Sequence, residues 1–278
     1  MSHEAITNTE VEALAGKLLS SYESGRVVDV LPSARPGFDL DTAYAVEARL
    51  KELRQAAGHR AVGRKVGYAN KAMWRVLKLE TLLWAHMYDD TVHYTQNNSA
   101  VLTLANGRSL KIEPEIVFGL KKPLTGESVD AARALEATDW LALGFEIIDC
   151  PYSEWKFQAS DFVASFGLHA ALVIGEKLKV KPESIAQLLD ELPRFKVRML
   201  KNGEFVEEGS GKNSLKSPAL CLAELGAAVS RRFPGEPLCE GEIVSSGTLT
   251  DGHPTGKGDL WKADVEGISL PALTLRLG

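Results

Sequence analysis

The sequence predicts an α+β protein, with a helical N-terminal segment preceding a body of short strands that form a mixed, curled sheet. Three observations carry that expectation. The first sixty residues hold two runs with apolar side chains at helical spacing, the rest holds many short strand candidates broken by turns, and these strands do not alternate one for one with helices. A doubly wound parallel fold needs that alternation and is disfavoured. The expected division is a helical segment over 1–60 and a β-rich catalytic domain over 61–278.

The elements follow in order. Asn8 or Thr9 is placed to cap a helix over EVEALAGKLLSSYESG, where Val11, Leu14, Leu18 and Leu19 share a face and Gly25 supplies a stop. Asp41 and Thr42 open a second helix, TAYAVEARLKELRQAAG, with Ala43, Val46, Leu50 and Leu53 at helical spacing. Between them VVDVLPSARPGFDL, with its two prolines, reads as an extended crossing segment. Strands are expected at VGRKVGYA, MYDDTVHY, KIEPEIVFGL, LALGFEIIDC, AALVIGEKL, RFKVRMLKN, EFVEEGS, GEIVSSGTL, WKADVEGI and LPALTLRL. Asn202-Gly203 between two of them suits a two-residue hairpin turn. Helices are expected at KAMWRVLK, VDAARALEATD, PESIAQLLDEL and SPALCLAELGAAVSRR.

Bulk properties narrow the function classes. The chain has 278 residues and a formal net charge of −5, with no dense Lys/Arg run, so no nucleic-acid partner is expected. No stretch approaches the ~20 apolar residues that cross a bilayer, so no membrane partner is expected. The opening MSHEAITNTEVEALAG carries acidic residues and lacks the apolar core of a leader. Cys150, Cys221 and Cys239 form an odd set without CxxC spacing, which argues against a disulfide framework and a cysteine zinc site. A reduced, cytoplasmic protein is expected.

The most informative string is KIEPEIVFGL. Residues two apart on a strand point the same way, so Glu113 and Glu115 project from one face, and their neighbours Ile112, Ile116, Val117 and Phe118 are apolar. Two carboxylates a few ångströms apart repel strongly in a partly buried site unless a cation lies between them. A hard divalent ion meets that need, because Mg2+, Mn2+ and Ca2+ prefer carboxylate oxygens. Glu146 stands in the apolar run LALGFEII and also needs a partner. Spacing leaves other readings open. Glu113 and Glu115 would equally suit the solvent face of an edge strand, and Glu146 a buried pair with Arg or Lys.

The ordered motifs GRKVGY, HMYDDTV, IEPEI, GFEIID and SSGTLTDG with a following GKGD resemble the fumarylacetoacetase superfamily, from about Gly63 to the C-terminus. Within it the chain is most similar to the hydratase/decarboxylase group, the 2-hydroxypentadienoate hydratases and 4-oxalocrotonate decarboxylases. The resemblance implies a mixed β-roll with an accessory helical segment. It implies Glu113, Glu115 and Glu146 as ligands of Mg2+ (or Mn2+), and Lys65 of GRKVGY as the active-site lysine. It also implies a substrate-binding role for Gly247, Thr248 and Thr250 in SSGTLTDG, and a homo-oligomer.

Read directly, Lys65 sits in an apolar strand segment before Gly67, where an ammonium would hold a carboxylate or enolate oxygen; a surface lysine fits the same alternation. Thr248 and Thr250 offer hydroxyl donors and Gly247 a close backbone approach, although an ordinary strand exit explains the glycine equally well. Two departures from the family stand out. His86 occupies the place of an aspartate usual in hydratases, and a histidine there can still exchange protons. VASFGLHAALVIG replaces an Ala-Asp-Asn segment, leaving His169 as the nearest polar residue and a weak candidate, while Asp161 upstream matches a frequent aspartate whose role is open.

Several strings are decoys. EEGSGKNS lacks the first glycine of a phosphate loop and Lys212 is followed by Asn213; His86 and His93 are not at helical zinc spacing; no GxSxG occurs; Cys150 ends an apolar strand. The resemblance therefore implies a metal-dependent lyase acting on a 2-hydroxydienoate or 2-oxo-enoate, by hydration to a 4-hydroxy-2-oxo acid or by decarboxylation through a metal-stabilised dienolate. Lys65 would orient or protonate the substrate, with His86 as a second acid–base group. The alternatives are a carbon–carbon hydrolase of acylpyruvates on the same fold, which wants a His–acid pair, and a non-catalytic partner subunit of a related enzyme.

Overall fold

A computed structural model describes residues 6–104 and 106–278; the first five residues of the helical segment, and of the stretch examined for a leader, lie outside the described residues. The chain begins with α1 (Asn8–Ser24) and α2 (Leu40–Ala56). There follow β1 (Ala61–Gly67), α3 (Lys71–Leu77), β2 (Leu83–Tyr88), β3 (Val92–Tyr94), β4 (Ser99–Leu102), β5 (Leu110–Leu120), α4 (Ala131–Glu136) and β6 (Thr138–Asp149). Next come α5 (Ala159–Ala164), β7 (His169–Ile174), β8 (Leu178–Lys179), α6 (Ile185–Glu191), β9 (Lys196–Lys201) and β10 (Glu204–Ser210). The chain ends with α7 (Pro218–Arg232), β11 (Ile243–Ser245), β12 (His253–Pro254), β13 (Leu260–Glu266) and β14 (Leu273–Leu277).

Local chemistry moves several expected boundaries. Thr7, rather than Asn8 or Thr9, caps α1: its hydroxyl accepts from the Glu10 amide, and the Glu10 carboxylate accepts from the Thr7 amide in a reciprocal capping box. Asp39, rather than Asp41 or Thr42, caps α2 by accepting from the Thr42 amide. The crossing segment is not wholly extended, since Pro32–Ala34 forms a 3-10 turn. MYDDTVHY divides into β2 and β3, because Thr91 turns the chain back on Tyr88 and Asp89 accepts from the Arg60 amide. In GEIVSSGTL only Ile243–Ser245 is strand. The Asn202-Gly203 hairpin is present, both residues at positive φ, joining β9 to β10.

The larger, mixed sheet runs β2-β1-β11-β5-β6-β7-β3, with β12 on β5 and β8 on β6. Its end strands, β2 and β3, are consecutive in the chain and separated only by Asp89–Thr91, so the sheet curls until its ends meet. Met87, Val117, Ala142, Leu172, Ile174 and Ile243 form a small apolar cluster of their own, apart from the main core. The second sheet, β10-β9-β13-β14-β4, adds Val197, Met199, Trp261, Ala263 and Leu275 to that main core. α2 packs on α1 and α5, and its Glu47 reaches β2. No helix among the described residues is long and apolar enough to cross a membrane.

Candidate active site

The site is built from three neighbouring strands of the curled sheet. β5 is antiparallel to β6 with Glu113 opposite Glu146 and Glu115 opposite Gly144, so pleat and register together put all three carboxylates on one face. β11 pairs with the other side of β5, Ser245 opposite Val117, and β1 runs parallel to β11 with Lys65 beside Ser245. Lys65 thereby joins the same face. One carboxylate oxygen from each of Glu113, Glu115 and Glu146 lies within 4.8 Å of the others.

Electrostatics at this point is severe. Glu115 and Glu146 are fully buried, and Lys65 is only 2% exposed. Lys65 Nζ stands 3.0 Å from Glu146 Oε2 and donates to the Gly167 carbonyl at 3.0 Å. Burial opposes charge on this ammonium, but Glu146, then Glu113 and Glu115, hold its pKa above the ordinary lysine value. Burial likewise drives Glu113 up to about 7, against the pull of Lys65 and with a further push from Glu146. Glu115 is raised well above its usual range by burial and by the other two carboxylates. Burial also acts on Glu146, yet Lys65 and a hydrogen bond from His169 hold it below the usual value.

One lysine does not balance three carboxylates. Glu115 Oε2 accepts from the Ser245 hydroxyl and, at 2.8 Å, from the Gly247 amide, while its Oε1 is buried without a hydrogen bond. Glu146 Oε1 accepts from His169 Nδ1 at 2.8 Å, and its Oε2 has the Lys65 ammonium 3.0 Å away. One orphaned, buried oxygen of Glu115, converging with oxygens of Glu113 and Glu146 that a single lysine serves, makes a donor set for a hard divalent cation: oxygens around Mg2+ at about 2.0–2.1 Å lie about 3–4 Å from one another. The residues present fit such an ion.

A cavity of about 660 Å³ opens over this floor. Lys65, Glu113, Gly247, Thr248 and Thr250 line it, and Tyr68, Trp155, Phe157 and Phe162 supply aromatic wall. Gly247 has φ +87°, and a Cβ there would stand 2.8 Å from that of Ala69, so glycine permits both the turn and the amide's approach to Glu115. The Thr248 and Thr250 hydroxyls donate to the Thr250 and Asp251 carbonyls, and the Thr248 oxygen also accepts from the Thr250 amide at 3.3 Å. Lys111, half-buried over the Trp155 ring at 4.1 Å, and exposed Lys212 also line the cavity; neither is in an ion pair among the described residues.

His86 is placed elsewhere. In the β1–β2 register Ala85 faces Lys65 and His86 faces Arg64, so His86 projects from the opposite side of the sheet. There Glu47 accepts from both its backbone amide, at 2.9 Å, and its Nδ1, at 2.6 Å. His86, expected as an acid–base group, does not line the cavity. Asp161, fully buried, accepts from the Ser33 amide and hydroxyl and the Gln158 amide, and ties the crossing segment to α5.

Sequence reasoning missed Ser245 and Glu207 and gave His169 only as a weak candidate. Ser245 and His169 each bind a carboxylate of the cluster, and Glu207 at the cavity wall pairs with His253 Nε2 at 2.7 Å. The SSG of SSGTLTDG gave a signal for Ser245; nothing in EFVEEGS pointed Glu207 at His253.

Comparison with known proteins places this architecture. Residues 61–275 match the Fumarylacetoacetate (FAA) hydrolase C-terminal family. The chain is 29% identical over 258 residues to a 2-hydroxyhexa-2,4-dienoate hydratase of Comamonas testosteroni, covering 93% of this chain and 94% of that protein. It is 27% identical to a 4-oxalocrotonate decarboxylase of Pseudomonas sp. (strain CF600), covering 96% and 97%. Among solved structures, 4-oxalocrotonate decarboxylase from Pseudomonas putida G7, complexed with magnesium and adipate, superposes with a TM-score of 0.88 at 25% identity, over 99% of this chain and 100% of that one.

Proposed function

The chain belongs to the fumarylacetoacetate (FAA) hydrolase C-terminal family, and we propose that it is a divalent-metal-dependent lyase of a 2-hydroxydienoate or 2-oxo-enoate, acting by hydration or decarboxylation. The observation that carries this reading is the convergence of Glu113, Glu115 and Glu146 beneath the cavity, with one buried Glu115 oxygen lacking any partner. Glu113, Glu115 and Glu146 would hold Mg2+ or Mn2+, and the ion when bound supplies Lewis-acid polarisation of a 2-oxo or enol oxygen.

The remaining roles fall to the protein's own groups. Lys65, with Gly167 and Glu146 occupying two directions around Nζ, has a proton left to hydrogen-bond or protonate the substrate from the cavity floor. Tyr68, Trp155, Phe157 and Phe162 suit a planar conjugated chain, and Lys111 and Lys212 suit an acid. Thr248 and Thr250, which line the cavity, would contact the substrate or water there. The proposal includes a reduced, cytoplasmic setting, in keeping with three free cysteines, and a homo-oligomer, which light scattering would read.

The test is turnover of 2-hydroxypenta-2,4-dienoate and of a 2-oxohexenedioate in Mg2+ and in EDTA, with 4-hydroxy-2-oxo acid and CO2 as the measured products. Full activity in a metal-free preparation would end the reading. A second reading, acylpyruvate hydrolysis, draws on cavity-lining Glu207 and its partner His253, a His–acid combination of the kind that activates water. Release of pyruvate from an acylpyruvate, lost in His253→Phe, would favour it.

A further inference from the structure

Between α5 and β7 the backbone passes through three successive left-handed residues: Phe166 at φ 55°, Gly167 at 59° and Leu168 at 60°. Only glycine adopts this conformation freely, so two other residues in such a run are unfavourable and persist only where the surroundings over-determine them. The surroundings do so here. The Phe166 ring lies 4.4 Å from that of Tyr22 and 6.2 Å from that of Tyr88, and the Leu168 amide donates to Ser165 O at 2.8 Å. The Tyr152 hydroxyl is hydrogen-bonded to that of Ser165, which opens the turn.

The strained turn delivers two contacts. Gly167 presents its carbonyl to Lys65 Nζ at 3.0 Å, and a Cβ at this position would stand 2.7 Å from Lys65 Cδ and 3.0 Å from Ala85 Cβ. The turn thus approaches the lysine as closely as bare backbone allows. His169, the first residue beyond it, donates from Nδ1 to Glu146 Oε1 at 2.8 Å. Its Nε2 is 3.0 Å from Thr91 Oγ1, and Thr91 is itself anchored to the Tyr88 carbonyl. Lys65 and Glu146 are the two members of the buried ion pair, and each is gripped from the same short segment.

We propose that the left-handed turn Phe166–Leu168 is a positioning device that fixes both members of the Lys65–Glu146 pair, the lysine through the Gly167 carbonyl and the carboxylate through His169. This rests on the proposed metal site, because the value of holding Glu146 Oε1 lies in aiming Oε2 at a cation. Gly167 and His169 are positioning residues, and their partners do the binding and proton work.

The experiment measures Mn2+ binding to the full chain by electron paramagnetic resonance, with thermal unfolding of the metal-free protein alongside. His169→Phe removes the hydrogen bond and should weaken Mn2+ binding by about ten- to a hundredfold. His169→Asn, whose amide nitrogen can replace Nδ1, should recover most of that loss. Gly167→Ala should lower kcat by about a hundredfold with KM little changed, the penalty of displacing a reacting group by roughly 1 Å. Parent-like Mn2+ binding in His169→Phe, equal loss in His169→Asn, or parent-like kcat in Gly167→Ala would overturn the inference. Failure of the parent chain to bind Mn2+ would instead overturn the proposed function, and this inference with it.

Discussion

Glu113 on β5 stands directly opposite Glu146 on β6, two carboxylates in cross-strand register on one face of the sheet. Such pairs place their Cβ atoms about 5 Å apart, where like charges destabilise. Burial, with a further push from Glu146, holds the Glu113 proton up to about 7, and burial and its carboxylate neighbours raise Glu115 well above its usual range. Between the ordinary glutamate value of 4.5 and about 7, the folded metal-free chain therefore keeps protons that the unfolded chain has released. Stability from these groups must fall as pH rises through that window. Divalent-ion binding needs the ionised carboxylates, so Mg2+ should cancel the fall and stabilise more at about pH 8 than at about pH 5. Calorimetric melts in EDTA and in Mg2+, with Glu113→Gln as reference, read this directly. A parent whose metal-free melting temperature climbs more steeply with pH than that of Glu113→Gln would contradict it.

Glu115 has one oxygen committed to Ser245 and Gly247 and one without a partner. Glu115→Gln keeps the shape and the first set of contacts but replaces the second oxygen with an uncharged amide NH2, which cannot ligate a cation. With Mg2+ a hundredfold above its dissociation constant the parent should gain about 2.7 kcal/mol of stability, and the variant almost none. Melting curves across a Mg2+ titration check this. An undiminished shift in Glu115→Gln would exclude the residue as a ligand.

Lys65 is the buried cation set among the three carboxylates, while half-buried Lys111 acts on Glu113. Lys65→Met leaves them buried without it and should cost about 3–5 kcal/mol in EDTA. Mg2+ should restore much of this stability, since a divalent charge then serves the same oxygens. Turnover should stay about 100- to 10,000-fold down, because the proton-carrying group is gone. Stability and activity recovering together would assign the lysine a purely structural role.

How much of this was legible in the sequence follows from the range of the forces involved. Strand periodicity is local, so KIEPEI already put Glu113 and Glu115 on one face, and Asn202-Gly203 announced its hairpin. The motif order supplied Glu146 and Lys65. The face that His86 uses was not legible, because it depends on β2 pairing with β1 in a register that sets it beside Arg64, and no local signal encodes that register. His169 stayed a weak candidate because its reach to Glu146 depends on a left-handed run through Phe166 and Leu168, residue types that give no hint of positive φ. Strands as short as β8 and β12 exist only through their partners β6 and β5. Helix caps were open to a closer reading, since Thr7 and Glu10 already spell a capping box.

His86 offers the sharpest contrast between sequence expectation and geometry. It shares the far face of the β1–β2 pair with Arg64, which is ion-paired to Glu242 at 2.7 Å, and it donates twice to buried Glu47 of α2. That makes it a fastener between helix and sheet. His86→Ala should therefore cost about 1–3 kcal/mol by leaving Glu47 short of a partner, while Mg2+ binding and kcat stay within about threefold. Burial pushes the Glu47 carboxyl up, but His86 and Arg64 together hold it below the ordinary glutamate value of 4.5. A depressed folded pKa means that its stabilisation is complete above about 4.5 and is lost as pH falls through the folded value. Glu47→Gln should accordingly flatten the acid limb of the stability curve, read by denaturant titration from about pH 6 down to about pH 3. A hundredfold loss of kcat in His86→Ala at unchanged melting temperature would return this histidine to the chemistry and refute its assignment to the far face.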